Sequence, residues 1–491
     1  MRTIDTDTLI IGAGPAGMAC AIALAKEGRR FIIVEAQGQV GGLAKTMVFE
    51  EDGLVFRTDQ GPHRFFSKNH ALYDFIETLL QDRWMTVQRS TRQYIDGKFY
   101  DYPVHFFQAL RNVGMMRALR MGVDYFLAKI QYGWRGKPIE NFADYIYAHF
   151  GKTLGEFNMI NYTEKIWGIP ASTIHKDWAG QRIRGLNVRT LLKDALARLM
   201  GKKQKDGVKT LVDTFYYPEL GTGLIYETIE QRLRARGYEI FLNAFPRAIR
   251  HEDARIKEAV IRQGEEEFVV RFNELVESIP LPRFFHLLDP PPPLPLLTHA
   301  GHLRHRSQVY VFLTLDKDSV TNDQWIYFPN KGIPIGRISE MKNFSAKMAP
   351  PGKTSLFIEY FCFEGDARWK MADAALFEET VAWLARLHFI ARADVRHYYV
   401  MRQKDVYPLY DVAYEHHLKP LKEFLNSFPN LYYIGRPGRF HYNNQDHSLE
   451  MGFAAARSIL LGYREDFDAI GEEKEYYEKG SLRKERKDVD K

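Results

Sequence analysis

Three glycines and one carboxylate carry the first chemistry legible in this chain. Gly12, Gly14 and Gly17 follow the apolar stretch Leu9 to Ile11 and open an alanine-rich segment, which leads to a second apolar stretch ending at Glu35. The spacing predicts a strand, a turn, a helix and a second strand over 8–35. Gly12 permits the tight turn, Gly14 lets backbone approach a pyrophosphate, and Gly17 lets the helix lie close on the strand. Ala16 sits in the first helical turn, where unpaired N–H groups and the helix dipole attract phosphate. Glu35, 23 residues after Gly12, stands where a carboxylate accepts bonds from a ribose 2′-OH. The same pattern binding no dinucleotide is the plainer alternative.

Further residues could complete such a site. Gly41, Gly42 and Leu43 come directly after the second strand and can fold a loop over the pyrophosphate with its N–H groups inward. Gly61, Pro62 and His63 lie in a loop between apolar stretches at 56–66, where a histidine can serve a site or simply hold a turn. The segment 161–182 carries Tyr162, Lys165, Trp167, Trp178 and Arg182, readable as a substrate wall or as helix packing with a surface ion pair. Tyr407 and Tyr410, in DVYPLYD, are available to stack on or hydrogen-bond a substrate, and Tyr442 is a further candidate. Near the C-terminal end, a strand runs into Gly435 and Arg436. After an irregular loop a helix is expected to start near Asp446, in the run Asn444, Gln445, Asp446, His447, Ser448.

Taken together, GxGxxG, the acid at the strand end, the GGL doublet and the GR…YNNQDHS segment resemble the FAD-binding amine oxidase superfamily. Its protoporphyrinogen-oxidase-like and UDP-galactopyranose-mutase-like branches are the nearest in pattern. The resemblance covers the chain from Leu9 to about Gly462 and implies FAD rather than NAD. It further implies that His63 lies over the flavin face and that Arg182 lines the substrate cleft. The helix beginning near Asp446 is implied to point its positive end at the flavin, stabilising its anionic reduced form. Two chemistries share that scaffold. One is an oxidoreductase removing a hydride from a small or lipid-like substrate onto flavin N5; the other is a non-redox mutase acting on a nucleotide sugar. Counting back from WIYFP puts Leu313 where the mutases carry a second diphosphate-binding arginine, which favours the oxidoreductase, with Arg337 the residue that could compensate.

The fold that must hold these residues is expected to be α/β: a bipartite FAD-binding domain of the glutathione-reductase Rossmann type, an inserted helical subdomain, and a mixed-sheet substrate domain. The FAD-binding parts are placed at 1–99, 210–290 and 426–463, the helical subdomain at 100–209, the substrate sheet at 291–425 and a charged tail at 464–491. At 491 residues the chain exceeds one ordinary core. The polyproline run at 289–297 reads as a stiff crossing between domains. Over 103–135, Met115, Met116, Leu119, Phe126, Arg117, Arg120 and Lys129 form a basic amphipathic pattern. It reads first as core packing or a subunit contact, with a peripheral membrane contact the alternative.

Composition narrows the partners. Net charge is +6, but 68 basic and 62 acidic residues are interspersed, which does not suggest nucleic-acid binding. The densest basic run, Lys202, Lys203, Lys205 and Lys209, reads as a solvated loop. Cys20 and Cys362 stand in no metal or redox spacing, so a reducing, cytoplasmic setting is expected. His299, His302 and His305 recur at spacing three, but no cysteine or carboxylate accompanies them, and no metal is assigned. The partner expected is a small-molecule, sugar or lipid-type substrate.

Overall fold

The computed structural model describes residues 2–101, 111–178 and 214–471. Arg182, the lysines at 202–209 and the tail beyond 471 lie outside them. At the centre is a five-stranded parallel sheet in the order Glu239–Phe241, Phe31–Val34, Thr8–Ile11, Glu274–Glu277, Leu431–Tyr433. Thr8–Ile11 and Phe31–Val34 are buried along their whole length. That is the mark of a parallel sheet covered on both faces. Three distant stretches of sequence therefore close one sheet.

On one face, the Pro15–Lys26 helix is buried over most of its circumference, between the sheet and the Gln445–Leu461 helix. Small residues make this close packing feasible. A methyl group on Gly452 would fall 2.2 Å from the Ala16 carbonyl oxygen, and one on Gly17 would fall 2.0 Å from that of Gly12. The other face is covered by a second sheet, Arg2–Asp5, Glu266–Arg271, Arg255–Gln263, Ala244–Glu252 and Leu288–Asp289.

A seven-stranded sheet carries the rest, in the order Val395–Pro408, His305–Leu315, Thr354–Cys362, Arg337–Glu340, Trp325–Tyr327, Thr91–Ile95, Lys98–Asp101. It is antiparallel except where Trp325–Tyr327 meets Thr91–Ile95. Those last two strands come from the stretch the sequence assigns to the first FAD-binding segment.

Four expectations change. The polyproline run is not a rod along its length: from Leu294 the chain is helical to His302, with Pro295 in the first turn where its missing N–H costs nothing. The tail is anchored up to residue 471, because Asp468 accepts bonds from Lys422 and Arg439 and Phe467 is buried. The Gln445–Leu461 helix takes Asn444, not Asp446, as its N-cap. The Met115–Ala128 helix does not pack these apolar residues into the core of its own chain: Met115, Met116, Leu119 and Phe126 are 66–86% exposed, which leaves the subunit and membrane contacts.

Candidate active site

Each central strand ends at the same edge of the sheet. Just beyond the strands stand Gly12 after Ile11, Glu35 after Val34, Ser278 after Glu277, and Gly435 two residues past Tyr433. All four line one cleft of about 1520 Å³. Ligands of open α/β sheets bind at this carboxyl edge. The volume exceeds the roughly 300–1,000 Å³ of a single small-ligand pocket.

Most of the residues anticipated from sequence line this cleft: Gly12, Gly14, Ala16, Glu35, Gly42, Leu43, Gly61, Pro62, His63, Tyr407, Gly435, Arg436, Tyr442, Asn444, Gln445, His447 and Ser448. Gly17, Gly41 and Asp446 do not. Gly17 seats the first helix on the turn, and Gly41, at φ +104°, donates its N–H to the Ala13 carbonyl. Asp446 is buried in the first turn of its helix.

The residues at one end fit the pyrophosphate and ribose of a dinucleotide. A methyl on Gly42 would come 3.1 Å from the Cα of Gly14, so the two glycine loops already meet at close range. Glu35 accepts the Ala13 N–H on one oxygen and the Gln37 N–H on the other, both at 2.8 Å. Burial raises its pKa, and these two donors oppose the rise. Each oxygen keeps a lone pair for a hydroxyl donor. Gln445 spends its carbonyl oxygen on Tyr226 at 3.0 Å and Thr222 at 3.3 Å. Its buried amide nitrogen has no partner among the described residues, as suits a donor awaiting a ligand.

His63 stands at the other end, its Nε2 3.3 Å from the Gln60 carbonyl. Burial, then the charges of Arg436 and Arg337, push its pKa down to about 4, so the imidazole is neutral near pH 7. Arg337 makes a bidentate pair with Glu359, 2.7 Å on each arm. Burial opposes its charge, but Glu359 outweighs that and keeps it protonated. Gln308 donates to the same carboxylate at 3.0 Å and accepts from Tyr310 at 2.7 Å. Arg436 donates to the carbonyls of Asn443 and Val406 and lies over the rings of Tyr407 and Tyr442, 5.3 and 5.0 Å from their centroids. Those rings stack at 5.7 Å, and Trp178 meets Tyr442 edge-on at 4.9 Å. Burial first, then Tyr442, raises the Tyr407 phenol to about 12, so it stays neutral.

Lys165 lies behind this wall. Its ammonium donates to the carbonyls of Phe328, Asn330, Ile333 and Ile335, fixing the loop that leads into Arg337. Gln60, Ser278 and Gln403 also line the cleft, and sequence reasoning does not place them there; so does Arg337, which the sequence offers only as a possible compensating arginine. One signal for the arginine is present in the sequence: Glu359 interrupts the apolar strand SLFIEYF, and a carboxylate that stays charged when buried is paired with a cation. Leu313 is corrected outright. It is fully buried among the aliphatic residues of the seven-stranded sheet, so it replaces nothing in the cleft.

A glycine turn between a buried strand and helix, an acid at the second strand end and a large cleft at the carboxyl edge define a dinucleotide-binding protein of the α/β class. The chain belongs to the flavin-containing amine oxidoreductase family, whose profile matches residues 15–460, and FAD is its cofactor. Curated relatives include UDP-galactopyranose mutase of Mycoplasma pneumoniae, 32% identical over 75 residues, which are 15% of this chain and 18% of the mutase. Hydroxysqualene dehydroxylase of Rhodopseudomonas palustris is 39% identical over 70 residues, 14% of this chain and 16% of that protein. The chain thus matches less than a fifth of these relatives' length. Among solved structures, a reduced UDP-galactopyranose mutase superposes with a TM-score of 0.80 at 22% identity, covering 95% of this chain and 97% of that one. A protein of Exiguobacterium sp. 255-15 assigned as a protoporphyrinogen oxidase gives 0.69 at 18% identity, covering 93% and 99%. At these identities the likeness is one of fold. Among the described residues, no helix is long and apolar enough to cross a membrane.

Proposed function

We propose that this flavoenzyme is an oxidoreductase that takes a hydride from a small, neutral or lipid-like substrate held between His63 and the Tyr407–Tyr442 wall. When bound, FAD supplies the hydride acceptor. The Gly12–Gly14 turn and the Gly42 loop hold its pyrophosphate, Glu35 its ribose, and Gln445 with the Gln445–Leu461 helix end its ring system. His63, neutral at working pH, packs and orients without adding charge.

The observation that carries the reading is how the two arginines beside His63 are used. Arg337 is paired with the Glu359 carboxylate, while Arg436 keeps its charge and spends its donors on two carbonyls and its faces on two rings. A dianionic diphosphate would have to compete with a buried carboxylate for Arg337. A neutral substrate meets aromatic surface and leaves the Arg337–Glu359 pair intact. One observation favours the mutase alternative: Arg337 lines the cleft, so a second arginine is within reach of the site after all.

The test is anaerobic titration of oxidised holoenzyme with fractionated cell extract, followed by flavin absorbance. Bleaching by an organic-soluble or neutral fraction supports the oxidoreductase. Bleaching by no fraction, together with turnover of a UDP-sugar by the reduced enzyme, supports the mutase. We further propose that the Met115–Ala128 helix rests on an anionic membrane surface. The segment 111–137 carries Arg111, Arg117, Arg120, Lys129, Arg135 and Lys137 against the single acid Asp124, although Arg117 pairs with Asp96 and Lys137 with Asp144.

A further inference from the structure

Away from the nucleotide end of the cleft, four imidazoles meet where the Leu294–His302 helix packs on the Tyr414–Asn426 helix. His299 and His417 bring their Nδ1 atoms to 3.0 Å. His302 stacks on His417 at 4.3 Å, and the His416 ring lies 5.5 Å from His299 and 5.1 Å from His417. One ring nitrogen from each of His299, His416 and His417 lies within 4.8 Å of the other two.

Three imidazole nitrogens converging from two helices are a donor set that suits Zn²⁺, Ni²⁺ or Co²⁺. A tetrahedral ion with metal–nitrogen bonds of about 2.0–2.1 Å needs its ligand nitrogens roughly 3.4 Å apart. The His299–His417 pair already stands near that spacing. His416 is exposed, so side-chain rotation can close the remaining distance without repacking a core. With three protein ligands, the fourth position falls to water. We propose that His299, His416 and His417 form a binding site for a divalent transition metal that clasps the two helices together. Tyr414, Leu418, Lys419 and Lys422 of the same helix line the cleft, so the clasp stiffens one wall of the active site. The proposal does not depend on which substrate the enzyme takes. A neighbouring group, His175, Asp177 and Glu415, offers mixed oxygen and nitrogen donors and is the competing locus.

Tag-free holoenzyme in chelator-treated buffer is titrated with Co²⁺, followed by its visible d–d absorbance, and then with Zn²⁺ as competitor. Expected are about one ion per chain, displacement by Zn²⁺, and a rise in Tm with bound metal. Affinity should fall roughly tenfold or more in His299→Ala and in His416→Gln. FAD content and the near-UV circular dichroism should stay as in the parent, and His175→Ala should bind as the parent does. Because His416 is exposed, His416→Gln decides the matter even if His299→Ala fails to fold. The proposal is overturned if Co²⁺ shows no saturable binding, or if His175→Ala abolishes binding that His416→Gln leaves intact.

Discussion

Gly14 and Gly42 stand where two loops come within contact distance, and a side chain on either would occupy the space a pyrophosphate needs to approach the backbone. Gly14→Val is therefore expected to yield folded protein without FAD, measured as the flavin-to-protein absorbance ratio; a stoichiometric yellow variant would remove this loop from the pyrophosphate. His63 leaves a different mark. Its folded pKa near 4 lies below the ordinary 6.5, so the unfolded chain binds the proton more readily. Between those values unfolding takes up a proton, and stability falls as pH drops from 6.5 towards 4. His305 and His441, lowered by burial to about 3 and about 4, add to the same slope. His63→Gln should lose less Tm than the parent over that window, with a contribution at most on the order of 3 kcal/mol. Equal losses would mean that the imidazole is protonated freely in the folded state. The Arg337–Glu359 pair is harder to read from sequence, because two charges that cancel inside a sheet are 22 residues apart along the chain and only strand pairing brings them together.

At the scale of elements, the strand, turn and helix of 8–35 are legible in sequence because hydrophobic period and glycine position agree there. The C-terminal helix is legible too, except for its cap, where Asn444 and Asp446 are both residue types that begin helices. What sequence does not supply is how closely that helix approaches the first one. A Gly452→Val variant would push a side chain into the Ala16 carbonyl and the Ala19 methyl, and should lower stability by about 1–3 kcal/mol or more in denaturant titrations. Unchanged stability would show that the two helices can separate at little cost. The Met115–Ala128 helix is the opposite case: the apolar pattern is visible, but an amphipathic stripe reads the same whether it meets a core or a surface. Leu119→Glu combined with Phe126→Glu should abolish sedimentation with phosphatidylserine vesicles while sparing FAD content. Sedimentation unaffected by the double variant would remove the helix as a membrane contact.

At the scale of the molecule, three separate segments build the parallel sheet, and the seven-stranded sheet supplies the far wall of the cleft. Sequence places the nucleotide end well because backbone geometry constrains residue type there. It does not resolve the substrate end, because strand pairing and not linear spacing decides that Leu313 packs in the sheet core while Arg337 lines the cleft. Whether that arginine serves a diphosphate or only its own glutamate separates the two chemistries. The flavin absorbance of reduced, anaerobic holoenzyme titrated with UDP addresses this directly. The oxidoreductase account expects no saturable spectral change, in the parent or in Arg182→Ala. A saturable change lost in Arg182→Ala or Arg337→Ala would contradict it, and the nucleotide-sugar mutase would take its place.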